Sequence, residues 1–202
     1  MTDAASMMFP GMMLMWVFFI AQNGMNDIFV EHQTTTLRRL YSSTLTVNQI
    51  LISKMISCFI LCLIAEILMI VGAWLFFGMA WGNVFVLLIH LSICNIASVG
   101  VMALVFSLSK TIDSAGALSA ILILGLAAIG GGMMPYVAMP DMMKQIADYS
   151  LIRWGVIGID AIIEGQNLST LIEPMLKLLA VGFVTLGFGS YIFKRRIESG
   201  EL

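Results

Sequence analysis

The sequence is short of charge, of histidine and of every familiar catalytic signature. Only 11% of its 202 residues are charged, against about 25% in a soluble domain, and only two are histidine. Most of this chain cannot therefore face water. No HExxH or GxSxG motif is present, which removes those routes to zinc-dependent and serine hydrolysis. A GxxxxGK[ST] loop is absent too, so the chain has no such device for cradling the phosphates of ATP. Three cysteines, Cys58, Cys62 and Cys94, lie inside apolar stretches, where they support neither a disulfide framework nor paired metal ligands. No basic tract offers a footprint for nucleic acid.

What the chain has instead is apolar length. Hydrophobic residues make up 60% of it, and its mean hydropathy is +0.99. These values specify an integral membrane protein, predicted to be all-α and polytopic. A span of roughly 20 apolar residues crosses the hydrocarbon core, and five such stretches occur, at Phe9 to Val30, Ile50 to Gly78, Val84 to Leu108, Leu118 to Met134 and Leu171 to Phe193. The first has no basic flank and no small-residue cleavage site after its apolar core, so it reads as a retained span and not as a signal peptide.

Basic residues set the expected orientation. Arg38, Arg39, Lys54, Lys110, Lys194, Arg195 and Arg196, seven of the ten Lys and Arg, border the first loop, the third loop and the C-terminal tail. Those regions are expected in the cytoplasm. The N-terminus, the Met79 to Asn83 turn and the Pro135 to Thr170 connection then lie outside, with Lys144, Arg153 and Lys177. A start outside with five spans is unusual for a chain without a signal, and an upstream helix is expected to be missing.

Between the first two spans, Thr34 to Leu45 read as a helix places Leu37, Leu40, Tyr41 and Leu45 on one side, with Arg38, Arg39 and Ser42 elsewhere. The apolar side can dock on a partner while the basic side meets acids or lipid phosphates. Ionisable and amide side chains inside the spans are the other informative positions, since a charge at membrane depth costs several kcal/mol. Glu66 is 12 residues before Gly78 and Asn95 is 12 after Asn83, so the two share a depth and are expected to hydrogen-bond, with Glu66 protonated. A structural bond is favoured over a proton relay. His90 falls nearer the outer end. Gln22, Asn23, Asn26 and Asp27 form two i, i+4 pairs that give the first span one wet face, which either lines a path or meets another subunit. Ala127 with Gly131 and Ala128 with Gly132 suggest close helix packing. Pro135 and Pro140 break the chain, and the stretches Asp141 to Tyr149 and Leu151 to Ile163 read as short interfacial or re-entrant helices, with Trp154 at headgroup level, forming a gate or a sealing lid.

The order Glu31, Thr36-Leu37-Arg38-Arg39-Leu40, then Lys54, resembles the first cytoplasmic loop of ABC-2 type permeases, the membrane-spanning halves of ATP-binding-cassette exporters. Thr35, Thr44 and Ser53 depart from residues usual there. The likeness continues through Ser107 to Thr111, Gly131-Gly132-Met133-Met134-Pro135, Met139-Pro140 and Trp154, and spans nearly the whole chain. It implies one ABC-2 transmembrane domain over residues 1–202, corresponding to helices two to six of six. Glu31, Thr36, Leu37, Arg38, Arg39, Leu40 and Tyr41 would form the coupling helix that meets an ATPase subunit, and that partner would bind ATP and Mg, leaving this chain without cofactor or catalytic role. Further implied partners are a second permease copy or a related permease, and the lipid bilayer of a bacterial or archaeal plasma membrane. The cargo would be a drug, lipid or other compound. The alternatives are an ion- or proton-coupled secondary transporter using Glu66, His90 and Asp27, and a scaffold subunit that transports nothing.

Overall fold

The computed structural model describes residues 4–33 and 47–199. Among these the chain is all-helical, with seven α-helices and no strands. They are α1 (Ala4–Gln33), α2 (Val47–Phe77), α3 (Val84–Leu108), α4 (Ile112–Gly130), α5 (Asp141–Ala147), α6 (Leu151–Ile163) and α7 (Leu168–Ser199), with a single 3-10 turn at Tyr136–Ala138. Five of them are long and apolar enough to span a bilayer, over Met8–Asp27, Gln49–Phe77, Val84–Leu108, Ile112–Gly130 and Leu168–Arg196. Helix is the expected outcome, because hydrocarbon supplies no partners for free backbone N–H and C=O groups.

The fourth span begins and ends earlier than the hydropathy pattern suggests. At its start the Thr111 side chain accepts from Ser114 N at 3.2 Å, while Ser114 Oγ accepts from Thr111 N at 3.2 Å, a reciprocal cap that nucleates the helix at Ile112. At its end Gly131 adopts φ 97°, a left-handed conformation that only glycine enters cheaply, and its N–H closes on Ala127 O. Gly131 and Gly132 therefore lie beyond the helix, which corrects the expectation that they form small-residue pairs with Ala127 and Ala128 on one helical face. Their smallness still permits the close helix packing expected of them. A Cβ on Gly132 would lie 3.0 Å from Gly11 O, so the turn after α4 rests directly on the backbone of α1.

The turn between α2 and α3 is closed by side chains. Trp81 is buried and donates its Nε1–H to Ile70 O at 3.1 Å, and Asn83 caps α3 by accepting from Phe85 N and Val86 N. α1 runs antiparallel to α2, the Cys58 and Cys62 thiols facing Ala21 O and Val17 O across the interface.

The closest pairing joins α3 to α7, which run parallel. A Cβ on Gly182 would lie 3.0 Å from Ala97 N, one on Gly100 2.7 Å from Gly182 O, and one on Gly189 2.9 Å from Leu104 N. Small residues on both helices thus let backbone approach backbone, the main way helices gain contact in lipid. Arg196 fastens the end of the pair: its Nη1 donates to Ser107 O at 2.8 Å and to Ser109 O, taking up carbonyls left free where α3 stops. α6 runs back along the first half of α3, from Gly155 beside Cys94 to Ile162 beside Gly82, and packs on α1, α3, α4 and α7 through an apolar face that includes Ile152, Val156, Ile159 and Ile162.

These contacts make a sharp stability prediction. Gly182→Leu should cost about 1–3 kcal/mol by overpacking, read as a lower unfolding temperature in detergent. Gly187→Leu, one turn away on the open face where a Cβ meets nothing within 4 Å, should leave that temperature unchanged.

Candidate functional site

Several polar residues of the spans meet inside the bundle. On α2, Cys58, Cys62 and Glu66 repeat at four-residue intervals and so share one buried face. Asn95 of α3 meets the end of that stripe, where its Nδ2 donates to Glu66 Oε2 at 2.7 Å. Both residues are fully buried, as depth matching between the two helices leads one to expect. The clasp is incomplete, because Glu66 Oε1 and Asn95 Oδ1 have no hydrogen-bond partner among the described residues. Each carries a desolvation cost that a single shared bond offsets only partly.

His90 lies one and a half turns from Asn95 toward the α2–α3 turn. Its Nε2 is 2.9 Å from Gly155 O on α6, and Cys94 Sγ approaches the same nitrogen at 3.7 Å. The ring fills the space above Gly158, where any Cβ would overlap it. His90 thus seats α6 on α3 through a notch that requires glycine. Its Nδ1 is buried without a partner among the described residues.

The four polar residues of α1 divide between two faces, which corrects the expectation of one wet face. Gln22 turns inward and donates from Nε2 to Gly116 O of α4 at 3.4 Å, and Asn26 is half-buried; Asn23 and Asp27 are exposed. Positions 22 and 26 are four apart, as are 23 and 27, so each pair follows its own side of the helix. Glu31 falls in the last turn of α1, whereas Thr36, Leu37, Arg38, Arg39, Leu40 and Tyr41 lie outside the described residues.

At the far end of the bundle Pro135 precedes the 3-10 turn, and the Pro140 carbonyl accepts from Met143 N and Lys144 N to open α5. Trp154 is half-buried, donating from Nε1 to Asp148 O at 2.7 Å. A contact that sequence reasoning missed sits next to it. The Arg153 guanidinium stacks 3.7 Å from the Tyr136 ring centroid. The available signal was charge itself, since Arg153 is one of only three basic residues between Met133 and Leu186. Asp160 lies two turns along α6; burial pushes its carboxyl up to about 6, with Arg153 pulling the other way and Glu164 adding to the rise. No group of three or more His, Cys, Asp and Glu among the described residues is arranged to hold a metal ion.

The buried clasp separates two kinds of substitution. Glu66→Gln keeps an acceptor for Asn95 and should alter stability little, whereas Glu66→Leu strands the Asn95 amide and should cost about 1–3 kcal/mol. A double-mutant cycle with Asn95→Leu, read by thermal unfolding, should show coupling between the two positions; additive effects would remove the clasp.

The description that fits this bundle is found among transporters. A family model for ABC-2 family transporter proteins matches residues 1–191. No curated protein and no solved structure matches the chain. With nearly every span, the buried clasp and the Pro-marked connection inside the matched region, the chain belongs to the ABC-2 family and is a membrane component of transport.

Proposed function

We propose that the chain is the permease subunit of an ATP-binding-cassette exporter, forming the transmembrane path for a drug, lipid or other compound while a separate subunit hydrolyses ATP. The observation that carries this reading is the family match over residues 1–191, laid over a bundle of five spanning helices. ATP and Mg belong to the partner. The first loop supplies the docking helix, with Leu37, Leu40 and Tyr41 entering a groove of the ATPase and Arg38 and Arg39 pairing acids or headgroups. Closure of the ATPase then pushes α1 and α2, which flank that loop. The basic ends lie in the cytoplasm of a bacterial or archaeal cell, and the Pro135 to Thr170 connection lies outside, where it gates or seals the exit.

Five spans make a poor closed conduit, so two permeases, identical or related, face each other above two ATPase subunits. The α1 surface bearing Asn23 and Asp27 suits that interface, because both polar side chains are exposed near the end of an apolar span.

Two experiments test the reading. Leu37→Asp combined with Leu40→Asp should abolish ATP-driven flux in vesicles while membrane insertion stays intact; undiminished ATPase binding and flux would defeat the docking assignment. Cysteine at position 23, in a background lacking Cys58, Cys62 and Cys94, should cross-link two permeases under oxidation. A monodisperse monomer with full ATP-driven transport would defeat the paired architecture, and flux driven by an ion gradient without ATP would replace the exporter by a secondary transporter.

A further inference from the structure

The connection that begins at Pro135 carries a group of residues that the transport reading leaves without a task. Two cations share one aromatic ring there: the Arg153 guanidinium lies 3.7 Å from the Tyr136 centroid and Lys144 Nζ lies 5.9 Å from it. Trp154, the neighbour of Arg153, has Lys177 Nζ 5.6 Å from its own ring. Both lysines have an acid on their own helix, Asp141 at 3.7 Å from Lys144 and Glu173 at 2.7 Å from Lys177. Arg153 differs. No hydrogen bond or ion pair to its side chain is found among the described residues, and its Nε is buried without an acceptor. Asp160 is near enough to feel its charge but makes no ion pair with it.

A guanidinium centred over a ring keeps its position while the N–H donors at its outer edge remain able to bind the oxygens of a phosphate. Next to it the connection exposes Val137 (80%), Met142 (78%), Ile146 (50%) and Tyr149 (81%). None of these four belongs to a spanning helix, so the lateral lipid contact of the bundle does not account for them. Large apolar side chains beside cations on short, non-spanning helices have the composition of a segment lying in the interface of a membrane.

Charge and apolarity together select the occupant. A soluble anion would satisfy the cations and leave the four apolar side chains in water. A second copy of the chain, meeting this face with the same face, would set Arg153 and Lys144 against their own like charges. A lipid with an anionic headgroup satisfies both requirements. We infer that the 135–154 connection binds an anionic phospholipid, its phosphate held by Arg153 and Lys144 around the Tyr136 ring and its acyl region against Val137, Met142, Ile146 and Tyr149.

The test places a photo-crosslinking amino acid at position 137 of the full chain, in vesicles holding equal amounts of phosphatidylglycerol and phosphatidylcholine, and identifies adducts by mass spectrometry. Phosphatidylglycerol adducts should predominate, and R153Q and K144Q should each reduce that enrichment on the order of fivefold. R195Q, at the other end of the bundle, should not change it. Equal labelling of the two lipids, or enrichment unaltered in K144Q and in R153Q, overturns the inference; if R153Q fails to insert, K144Q decides alone. Loss of the lipid adducts on adding inorganic phosphate would assign the cations to a soluble anion, and adducts to a second copy of the chain would assign the face to self-association. Either result also overturns it. None of these readouts depends on ATP, so the lipid site and the exporter reading stand or fall separately.

Discussion

Hydrocarbon offers no hydrogen bonds, and nearly every structural choice in this chain follows from that. Water cannot take up an orphaned backbone group inside the bilayer, so the spans are helical throughout, and side chains also close several of the breaks at their ends. The breaks are closed in different ways. Thr111 and Ser114 cap each other where α4 begins, and Gly131 turns its N–H back to Ala127 where α4 ends. Asn83 caps α3, and Arg196 reaches from α7 to the carbonyls of Ser107 and Ser109. Several of the polar side chains serve at these points.

The same solvent changes what holds helices together. Apolar side chains gain little by leaving lipid for protein, so association rests on close backbone approach and on polar pairs. α3 and α7 use the first device along their length, with Gly100, Gly182 and Gly189 at the crossings. α2 and α3 use the second, through Glu66 and Asn95. α1 combines the two, resting Gly11 on the turn after α4 and giving a Gln22 hydrogen bond to Gly116. The exposed apolar surface of α2, from Ile52 through Trp74 to Phe77, is then the ordinary lipid face of a spanning helix.

α6 joins the bundle interior to the Pro-marked connection. His90 holds it on α3 through the Gly155 carbonyl and the Gly158 notch, and its first turn sets Arg153 beside the end of α4 while its last turn meets the α2–α3 turn at Gly82. In the exporter proposed here, movement of α3 would therefore reach the connection through α6. The lipid proposed to sit on Arg153 and Lys144 would bear on the same element from its other side.

Solvent class and helix content were legible in the sequence because they depend on sums: the low charge, the long apolar runs and the impossibility of open strands in lipid. The shared depth of Glu66 and Asn95 was legible too, since a tight turn between two helices fixes distance along them by counting residues. Family membership rested on the order of motifs from Glu31 to Trp154, which is also a linear property. Helix ends and faces were less accessible. The start of α4 depends on a four-residue cap that hydropathy does not register, and the role of Gly131 depends on a dihedral angle. The division of Gln22 and Asn26 from Asn23 and Asp27 depends on which neighbours α1 meets. The α3–α7 glycines and the Arg153–Tyr136 stack could not be read at all from one strand of text. They pair residues far apart in the chain, and only the rotation and packing of whole helices decide which distant side chains share a face.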